Sequence, residues 1–168
     1  MQVIAKRRRR ENKTDYKLRL TLLKSRRPRI VVRRTNKYFI AQVIESVEAK
    51  DKVVVGITSK DLIKNGWDKK FEGSLKSIPA GYLTGLLLAR EIEKSKAKGS
   101  RFVLDLGLAR TLRGNRNYAV VKGLVDGGLD LSANEEVFPS DERLNGEHAK
   151  KGLKEMIAKV KTKLGASD

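Results

Sequence analysis

The chain has 168 residues, enough for one domain with a sizeable hydrophobic core, and a formal net charge of +18 from 38 Lys and Arg against 20 Asp and Glu. It contains no cysteine, which excludes a disulfide framework and thiolate zinc, and its longest apolar runs, such as residues 83–89, are too short to span a bilayer. Because arginines follow soon after Ala5, we expect no secretory signal peptide, and therefore a soluble, intracellular protein without a membrane partner.

The first 28 residues are predicted to form a basic arm and an amphipathic helix. Residues 1–11 include five consecutive cations and show no periodicity, which is typical of a flexible arm. From Thr14 onwards, leucines recur on one side of a helical projection and lysines on the other, which predicts an amphipathic helix. We expect Thr14 to cap this helix and Pro28 to end it.

Residues 29–168 are predicted to form an α/β domain whose sheet begins as a meander. Two β-branched and aromatic runs flank a turn at Asn36, and a third strand is predicted over residues 52–57. Strands that are joined by so short a turn must be antiparallel. The sheet is therefore expected to start as an antiparallel meander.

The second half of the chain is predicted to alternate helices and strands. A long helix begins at Pro79 and is closed by Gly99, and the apolar residues 101–108 form a strand that is buried on both faces. A helix over residues 117–126 and a strand at residues 129–131 are expected next.

Two further patterns concern packing. Gly81 and Gly85 lie one turn apart on the long helix, which permits its backbone to approach the sheet closely. The last element carries apolar residues at helical spacing, namely Leu153, Met156, Ile157, Val160 and Leu164. The order of elements predicts a single α/β domain with a mixed sheet, in which an antiparallel meander is followed by β-α-β units and helices pack on the sheet.

Positive charge is concentrated at the amino-terminal end of the chain. Residues 1–38 hold 15 Lys and Arg against Glu11 and Asp15, whereas residues 123–148 hold seven acids against Arg143 alone. A basic run by itself is compatible with a solvated face or a localisation signal. This one continues through arm, helix and hairpin, which favours a polyphosphate partner, because each neutralised phosphate releases condensed counterions.

A second basic segment, residues 109–118, is predicted to be a loop that leads into a helix. Its three arginines are separated by glycine and asparagine, and backbone amides with the helix dipole suit phosphate binding there, although a solvated turn has the same pattern. The chain has no helix-turn-helix pattern and few aromatic residues. An arm that orders on a folded RNA therefore fits better than a DNA reader or a single-strand stacking surface.

Asp105 is the strongest catalytic candidate in the sequence. A carboxylate inside an apolar strand is costly unless it is paired, and nucleases of the ribonuclease-H type use such a residue to hold Mg²⁺. That chemistry needs further carboxylates, for which Asp126 and Asp130 are candidates. We favour the structural interpretation, in which backbone amides or an arginine satisfy Asp105. No phosphate loop or dinucleotide motif is present, so no cofactor is expected.

Six segments resemble one known family in the same order along the chain. The segments are RRRRENKTDYKLRLTLLKS, RPRIVVRRTNKYFIAQVI, AGYLTGLLLAREI, FVLDLGL, YAVVKGLVDGGLDL and FPSDERLNGEHA. They are similar to the universal large-ribosomal-subunit proteins that bind 5S ribosomal RNA, number eighteen in bacterial naming, in their archaeal and eukaryotic form. The resemblance covers the chain from about Arg7 to Ala149.

The resemblance carries expectations about fold, location and partners. It implies a ribonuclease-H-like layout without catalysis, in the central protuberance of the large ribosomal subunit in the cytoplasm. The implied partners are 5S rRNA, the 23S-type large-subunit rRNA and neighbouring 5S-binding ribosomal proteins. No small-molecule substrate is expected.

The predicted RNA-binding residues come from both basic segments. The arm, first helix and hairpin supply Arg7, Arg8, Arg9, Arg10, Asn12, Lys13, Thr14, Tyr16, Arg19, Lys24, Arg26, Arg27, Arg29, Arg33, Arg34, Lys37 and Tyr38. The loop supplies Arg110, Arg113, Arg116 and Asn117. Because an acidic stretch follows the loop, we expect the loop to lie apart from the main 5S footprint and to face the larger rRNA.

Two other functions stay open on the sequence alone. One is a metal-dependent nuclease that uses Asp105, and the other is an extraribosomal RNA chaperone whose arm does all the binding.

Overall fold

The computed structural model describes residues 4–48, 50–148 and 152–164. None of the helices in these ranges is long and apolar enough to cross a bilayer. In chain order, the elements are α1 (Arg7–Arg10), α2 (Tyr16–Lys24), β1 (Arg29–Arg34), β2 (Phe39–Val47), β3 (Lys50–Thr58), α3 (Ile78–Glu93), β4 (Val103–Asp105), α4 (Arg116–Asp126), α5 (Asp141–Leu144) and α6 (Leu153–Lys163). Short 3-10 helices cover Ser59–Asn65, Lys69–Ser74 and Glu135–Val137.

The strands form one mixed sheet in the order β3-β2-β1-β4. β1, β2 and β3 make the expected antiparallel meander, and β4 is added parallel to β1 after the chain crosses over through α3. The turn between β1 and β2 is held by Thr35, whose backbone N–H donates to the Tyr38 carbonyl at 2.9 Å. The single mixed sheet with packed helices is therefore confirmed.

Only one β-α-β connection forms within the described residues, between β3 and β4. The strand predicted at residues 129–131 is absent, and this prediction is wrong. Gly128 turns the chain with a φ of 86°, and Leu129 and Leu131 then pack as half-buried side chains against the core. Their apolar surface is thus covered without pairing to the sheet.

The hydrophobic core lies on one side of the sheet, which we call the inner face. There Ile30 and Val32 of β1 pack under Leu88 of α3 and Val120 of α4. A second cluster joins α3, α6 and the first two 3-10 helices around Trp67, whose indole N–H donates to a backbone carbonyl at 3.1 Å. The apolar periodicity predicted for α6 is confirmed, because the five predicted positions from residue 153 to residue 164 are buried.

Glycines set the contact between α3 and α4. A Cβ on Gly85 would overlap the Val120 carbonyl oxygen, and one on Gly123 would overlap that of Tyr82. A Cβ on Gly81 would lie 3.1 Å from the carbonyl oxygen of Arg116. The close approach predicted for the α3 glycines therefore exists, but it is mainly an approach to α4 and not to the sheet.

The amino-terminal boundaries differ from the prediction. Residues 7–10, expected in an aperiodic arm, form the single turn α1. Asp15, and not Thr14, caps α2, because its carboxylate accepts from the amides of Lys17 at 2.9 Å and Leu18 at 3.1 Å. α2 ends at Lys24, four residues before Pro28, and Arg26 follows with a φ of 52°.

The boundaries of α3 and β4 also differ. α3 begins at Ile78 with Ser77 as its cap, so Pro79 occupies the second helical position. It ends at Glu93, well before Gly99, and just beyond this end the Ser95 hydroxyl donates to the Ile92 carbonyl at 2.8 Å. β4 covers three residues instead of eight, because the chain turns away from the sheet soon after Asp105.

Candidate nucleic-acid interface

The second side of the sheet, which we call the outer face, carries charge. On β1, Arg29, Val31 and Arg33 alternate with the inward residues Ile30 and Val32 and so point away from the core. Two of these three outward side chains are arginines. Arg29 is only 2% exposed, so its charge must be compensated within the protein.

Five charged side chains of alternating sign, here called the ion chain, cross the outer face. In order they are Arg33, Asp105, Arg29, Asp51 and Arg19. The Asp105 carboxylate accepts from Arg33 Nη2 at 2.7 Å and from Arg29 Nη1 at 3.0 Å. Asp51 accepts from Arg29 Nη2 and from Arg19 Nη2, both at 2.9 Å. Because Arg19 lies on α2, the ion chain ties that helix to β1, β3 and β4.

Asp105 is a structural acceptor, as predicted. Besides the two arginines, the backbone N–H of Gly107 donates to its Oδ1 at 2.9 Å. Asp126 and Asp130, the other carboxylates considered for a metal site, are each bonded to a different partner. Across the described ranges, no three His, Cys, Asp or Glu side chains are grouped so that they could hold a metal ion.

Asp51 connects the buried and exposed halves of the ion chain. Burial acts to raise the pKa of Asp51, but hydrogen bonds from the Ser46 hydroxyl and Arg19, with the charges of Arg29 and Arg19, outweigh it and hold this pKa below its usual range. The Ser46 hydroxyl donates to Asp51 at 2.7 Å and accepts from Arg29 at 3.1 Å. Asp51 is therefore ionised at neutral pH.

Two predicted RNA-binding residues are buried. Arg29 gives its two terminal nitrogens to Asp105, Ser46 and Asp51, and a phosphate has no access to it. Burial therefore argues against the predicted contact of Arg29 with RNA, and in this structure Arg29 holds the sheet and α2 together. Asn117 is 5% exposed in the first turn of α4, so it does not lie on the open surface, and its contact with RNA stays a prediction.

The arm is folded back on itself through polar contacts. Arg8 Nε donates to the Thr14 hydroxyl at 2.9 Å, so Thr14 bonds to the arm and not to α2. Glu11 pairs with Lys13 at 2.8 Å, and Asn12 turns the chain with a φ of 50°, a conformation that Asn tolerates better than most residues.

Most of the other predicted cations are exposed. This set comprises Arg7, Arg8, Arg9, Arg10, Lys13, Lys24, Arg26, Arg27, Arg34, Lys37, Arg110, Arg113 and Arg116, and Asn12 is exposed with them. Thr14, Tyr16, Arg19, Arg33 and Tyr38 are half-buried. The outer side of the molecule thus presents a broad cationic surface that begins at the arm and continues past β1.

A groove with a cavity volume of about 650 Å³ brings the two basic segments together. It lies between the arm, α2, the end of β1 and residues 105–117. Six cations line it, namely Arg8, Lys13, Arg19, Arg33, Arg34 and Arg110. The two carboxylates in its wall are both engaged, Asp15 by α2 amides and Asp105 by the ion chain.

Arg110 shares the groove with Arg8, so the beginning of the loop lies beside the arm. That the loop faces the larger rRNA stays a prediction. Arg113 lies differently, because it pairs with Glu136 of the acidic stretch at 3.1 Å. The two arginines therefore have different environments. Arg110 lines the cationic groove, whereas Arg113 contacts the acidic stretch.

The two tyrosines of the predicted interface make different contacts. Tyr38 packs against the core and carries the Lys60 ammonium 4.7 Å from its ring centroid. Tyr16 carries the Lys6 ammonium at the same distance. Tyr38 is therefore a packing residue in this structure.

Sequence reasoning missed Asp51, Ser46 and Gly107. Asp51 and Ser46 lie near a hairpin tip with polar neighbours, and no local signal distinguishes them from solvated residues. Gly107 could have been noticed in the sequence, because it is a glycine directly after an apolar strand. In the structure its φ is 63°, and a Cβ at this position would lie 2.9 Å from Arg33 Cζ. Only glycine allows the guanidinium to reach Asp105 so closely.

The sequence of this chain is similar to those of known ribosomal proteins. The family model described as "Ribosomal large subunit proteins 60S L5, and 50S L18" matches residues 1–100 and 91–134. The chain is 46% identical over 142 residues to "Large ribosomal subunit protein uL18" of Korarchaeum cryptofilum, which covers 84% of this chain and 70% of the relative. The protein of the same name from Methanospirillum hungatei is 44% identical over 145 residues, 86% of this chain and 79% of the relative. The chain therefore belongs to the uL18 family of large-ribosomal-subunit proteins.

Proposed function

We propose that this protein is a non-enzymatic constituent of the large ribosomal subunit that binds 5S rRNA and helps to attach it to the large-subunit rRNA in the central protuberance. Its further partners are the 23S-type rRNA and neighbouring 5S-binding proteins, in cytoplasmic ribosomes. Family membership supports the ribosomal part of this proposal. The single observation that carries the RNA contact is the grouping of exposed cations along the arm, α2, β1 and the groove.

In this proposal, residues 1–28 are the RNA-binding unit and residues 29–168 are its platform. The ion chain supports this division, because Arg19 fixes α2 through Asp51 while the neighbouring cations stay exposed. A phosphate backbone neutralises such cations and releases counterions, which gives affinity with a steep dependence on salt. The buried Arg29 does not take part directly.

The test removes the four arginines of α1, Arg7–Arg10, by substitution with alanine, which keeps the helical preference of the turn. If they contact phosphates of 5S rRNA, affinity falls and the slope of log affinity against log salt becomes shallower by about 3. The matched control removes four exposed lysines elsewhere, Lys69, Lys70, Lys96 and Lys98. The control is expected to retain affinity and slope for the isolated 5S RNA.

Equal losses in the two variants would show that net charge, and not the placement of α1, governs binding. Wild-type protein that binds unrelated RNA as tightly as 5S rRNA would remove the 5S assignment. Equal affinity for unrelated RNA would favour an extraribosomal RNA chaperone. An isolated peptide of residues 1–28 that binds RNA as tightly as the full chain would favour it as well.

A separate experiment tests the alternative function, a metal-dependent nuclease. That function requires RNA cleavage that depends on a divalent metal and is abolished by Asp105→Asn. The engagement of both Asp105 oxygens by Arg29, Arg33 and Gly107 supports a structural role instead.

A further inference from the structure

The lining of the groove includes a buried side-chain oxygen without a hydrogen-bond partner in the described part of the chain. Asn117 lines the groove and is 5% exposed, and within the described residues its Oδ1 has no hydrogen-bond partner. An unsatisfied buried oxygen is unfavourable in the free protein by about 1–3 kcal/mol. Such a group is typical of a site that a ligand completes.

The amino-terminal end of α4 opens into the same groove. Asn115 occupies the cap position, but its side chain accepts no amide of the helix and instead donates to the Arg110 carbonyl at 2.7 Å. α4 has 11 residues, so its dipole adds to the uncapped amides at this end. A phosphate placed there would also be close to the groove cation Arg110.

Apolar side chains complete the wall of the groove. Leu18 of α2 is 40% exposed and Leu108 is 54% exposed, and both line the cavity. A purely electrostatic phosphate track does not need exposed leucines, whereas the flat face of a base is covered by them. The volume of about 650 Å³ lies in the range of pockets that enclose a small molecule.

We propose that the groove receives one unpaired nucleotide of the bound RNA. Its phosphate lies at the amino-terminal end of α4 beside Arg110, its base lies against Leu18 and Leu108, and a polar edge of the nucleotide hydrogen-bonds the side-chain amide of Asn117. The arm and the 110–117 loop then hold the same RNA strand from two sides. This inference rests on the proposed function and adds the nucleotide-scale site within it.

The test maps the 2′-hydroxyl reactivity of 5S rRNA and large-subunit rRNA, refolded together, with the full-length protein and with Asn117→Ala. We expect the wild-type protein to protect an unpaired nucleotide that becomes reactive again in the variant, while the other protections persist. Affinity should fall about tenfold, since one hydrogen bond to a buried group is lost. The salt slope should stay unchanged, because no phosphate contact is removed.

Two further variants separate this site from general effects. Arg110→Ala should lower affinity and also make the salt slope shallower by roughly 0.7 to 0.9. Asn65→Ala removes an asparagine whose side chain bonds the Asp61 carbonyl, outside the groove, and should leave the protections unchanged. The melting temperature of Asn117→Ala is measured in parallel, so that a loss of stability is distinguished from the loss of the contact with the nucleotide.

The possible outcomes are distinct. Identical protections for wild type and Asn117→Ala overturn the nucleotide site and leave the proposed function intact. A protection that is lost in Asn65→Ala as well as in Asn117→Ala also overturns it, because the effect would then not depend on the groove. A wild-type protein that protects neither RNA overturns both the site and the proposed function.

Discussion

The two faces of the sheet hold their helices by different means. On the inner face, α3 and α4 pack through apolar side chains and approach each other at Gly85 and Gly123 until backbone nearly touches backbone. On the outer face, α2 is tied to the sheet by Arg19 and Asp51 at the end of the ion chain. Shape fixes the first contact and charge fixes the second, so they should respond differently to substitution, pH and salt.

The largest effect is expected from Gly123→Ala on the inner face. The new Cβ would overlap the Tyr82 carbonyl oxygen, so α3 and α4 would have to separate, at a cost of about 3 kcal/mol in the free energy of unfolding. Chemical denaturation measures this loss. Gly73→Ala is the matched control, because nothing lies within 4 Å of a Cβ at that position. A loss below about 1 kcal/mol for Gly123→Ala would mean that the two helices are not fixed by shape.

The next effect is expected from Arg29→Met on the outer face. The substitution keeps an apolar stem but leaves the buried Asp105 and the partly buried Asp51 with fewer partners, which should lower the free energy of unfolding by about 3 kcal/mol. Arg27→Met, at an exposed position nearby, is the control and should change stability little. If the two variants were equally stable, the ion chain would contribute nothing to the fold.

A smaller, pH-dependent effect is expected from Asp51→Asn. Since the pKa of Asp51 is lowered on folding, its ionised form contributes stability above the unfolded pKa, near 3.8, and this contribution is lost as the pH falls through the folded pKa. Because the side chain is 29% exposed, we expect only about 1 kcal/mol at pH 7. Denaturation of wild type and variant from pH 7 down to pH 3 should give converging curves. A constant difference would exclude titration of Asp51 as the cause.

The smallest effect is expected from Arg19→Ala, which releases α2 from the ion chain. Arg19 is a third exposed, so its pair with Asp51 should contribute about 0.5 kcal/mol, and high salt should reduce that further. Lys17→Ala removes a neighbouring exposed cation as the control. The measurement is denaturation at low and high salt. If salt leaves the difference unchanged, α2 is held by packing of Leu22 and not by charge.

Sequence patterns predicted the inner face better than the outer face. The apolar spacings of α3, α4 and α6 and the β-branched runs of the hairpin are repeated over several turns or residues, so they identified the elements. The lone turn α1 and the three-residue β4 are too short to leave a periodic signal.

The candidate site shows the same limit at the level of single residues. Arg27, Arg29 and Arg33 stand within seven positions of one another and look equivalent as letters. Arg29 differs from the other two because it is buried. Its hydrogen-bond acceptors, Asp51 and Asp105, lie 22 and 76 positions away along the chain. The apolar sequence around Asp105 indicated that its carboxylate needs a partner. Arg29 and Arg33 could be identified as its partners only from the pairing of β4 with β1.

The position of β4 has a consequence for synthesis of the chain on the ribosome. β1 is flanked by β2 and β4, yet Asp105 is made 76 residues after Arg29. Until then, a nascent chain that reaches Thr58 exposes β1 as a sheet edge, with Arg29 able to pair with Asp51 but not yet with Asp105. Long-range parallel pairing forms late. A fragment that ends at residue 58 should therefore aggregate or capture RNA without selectivity, and extension beyond Asp105 should suppress both.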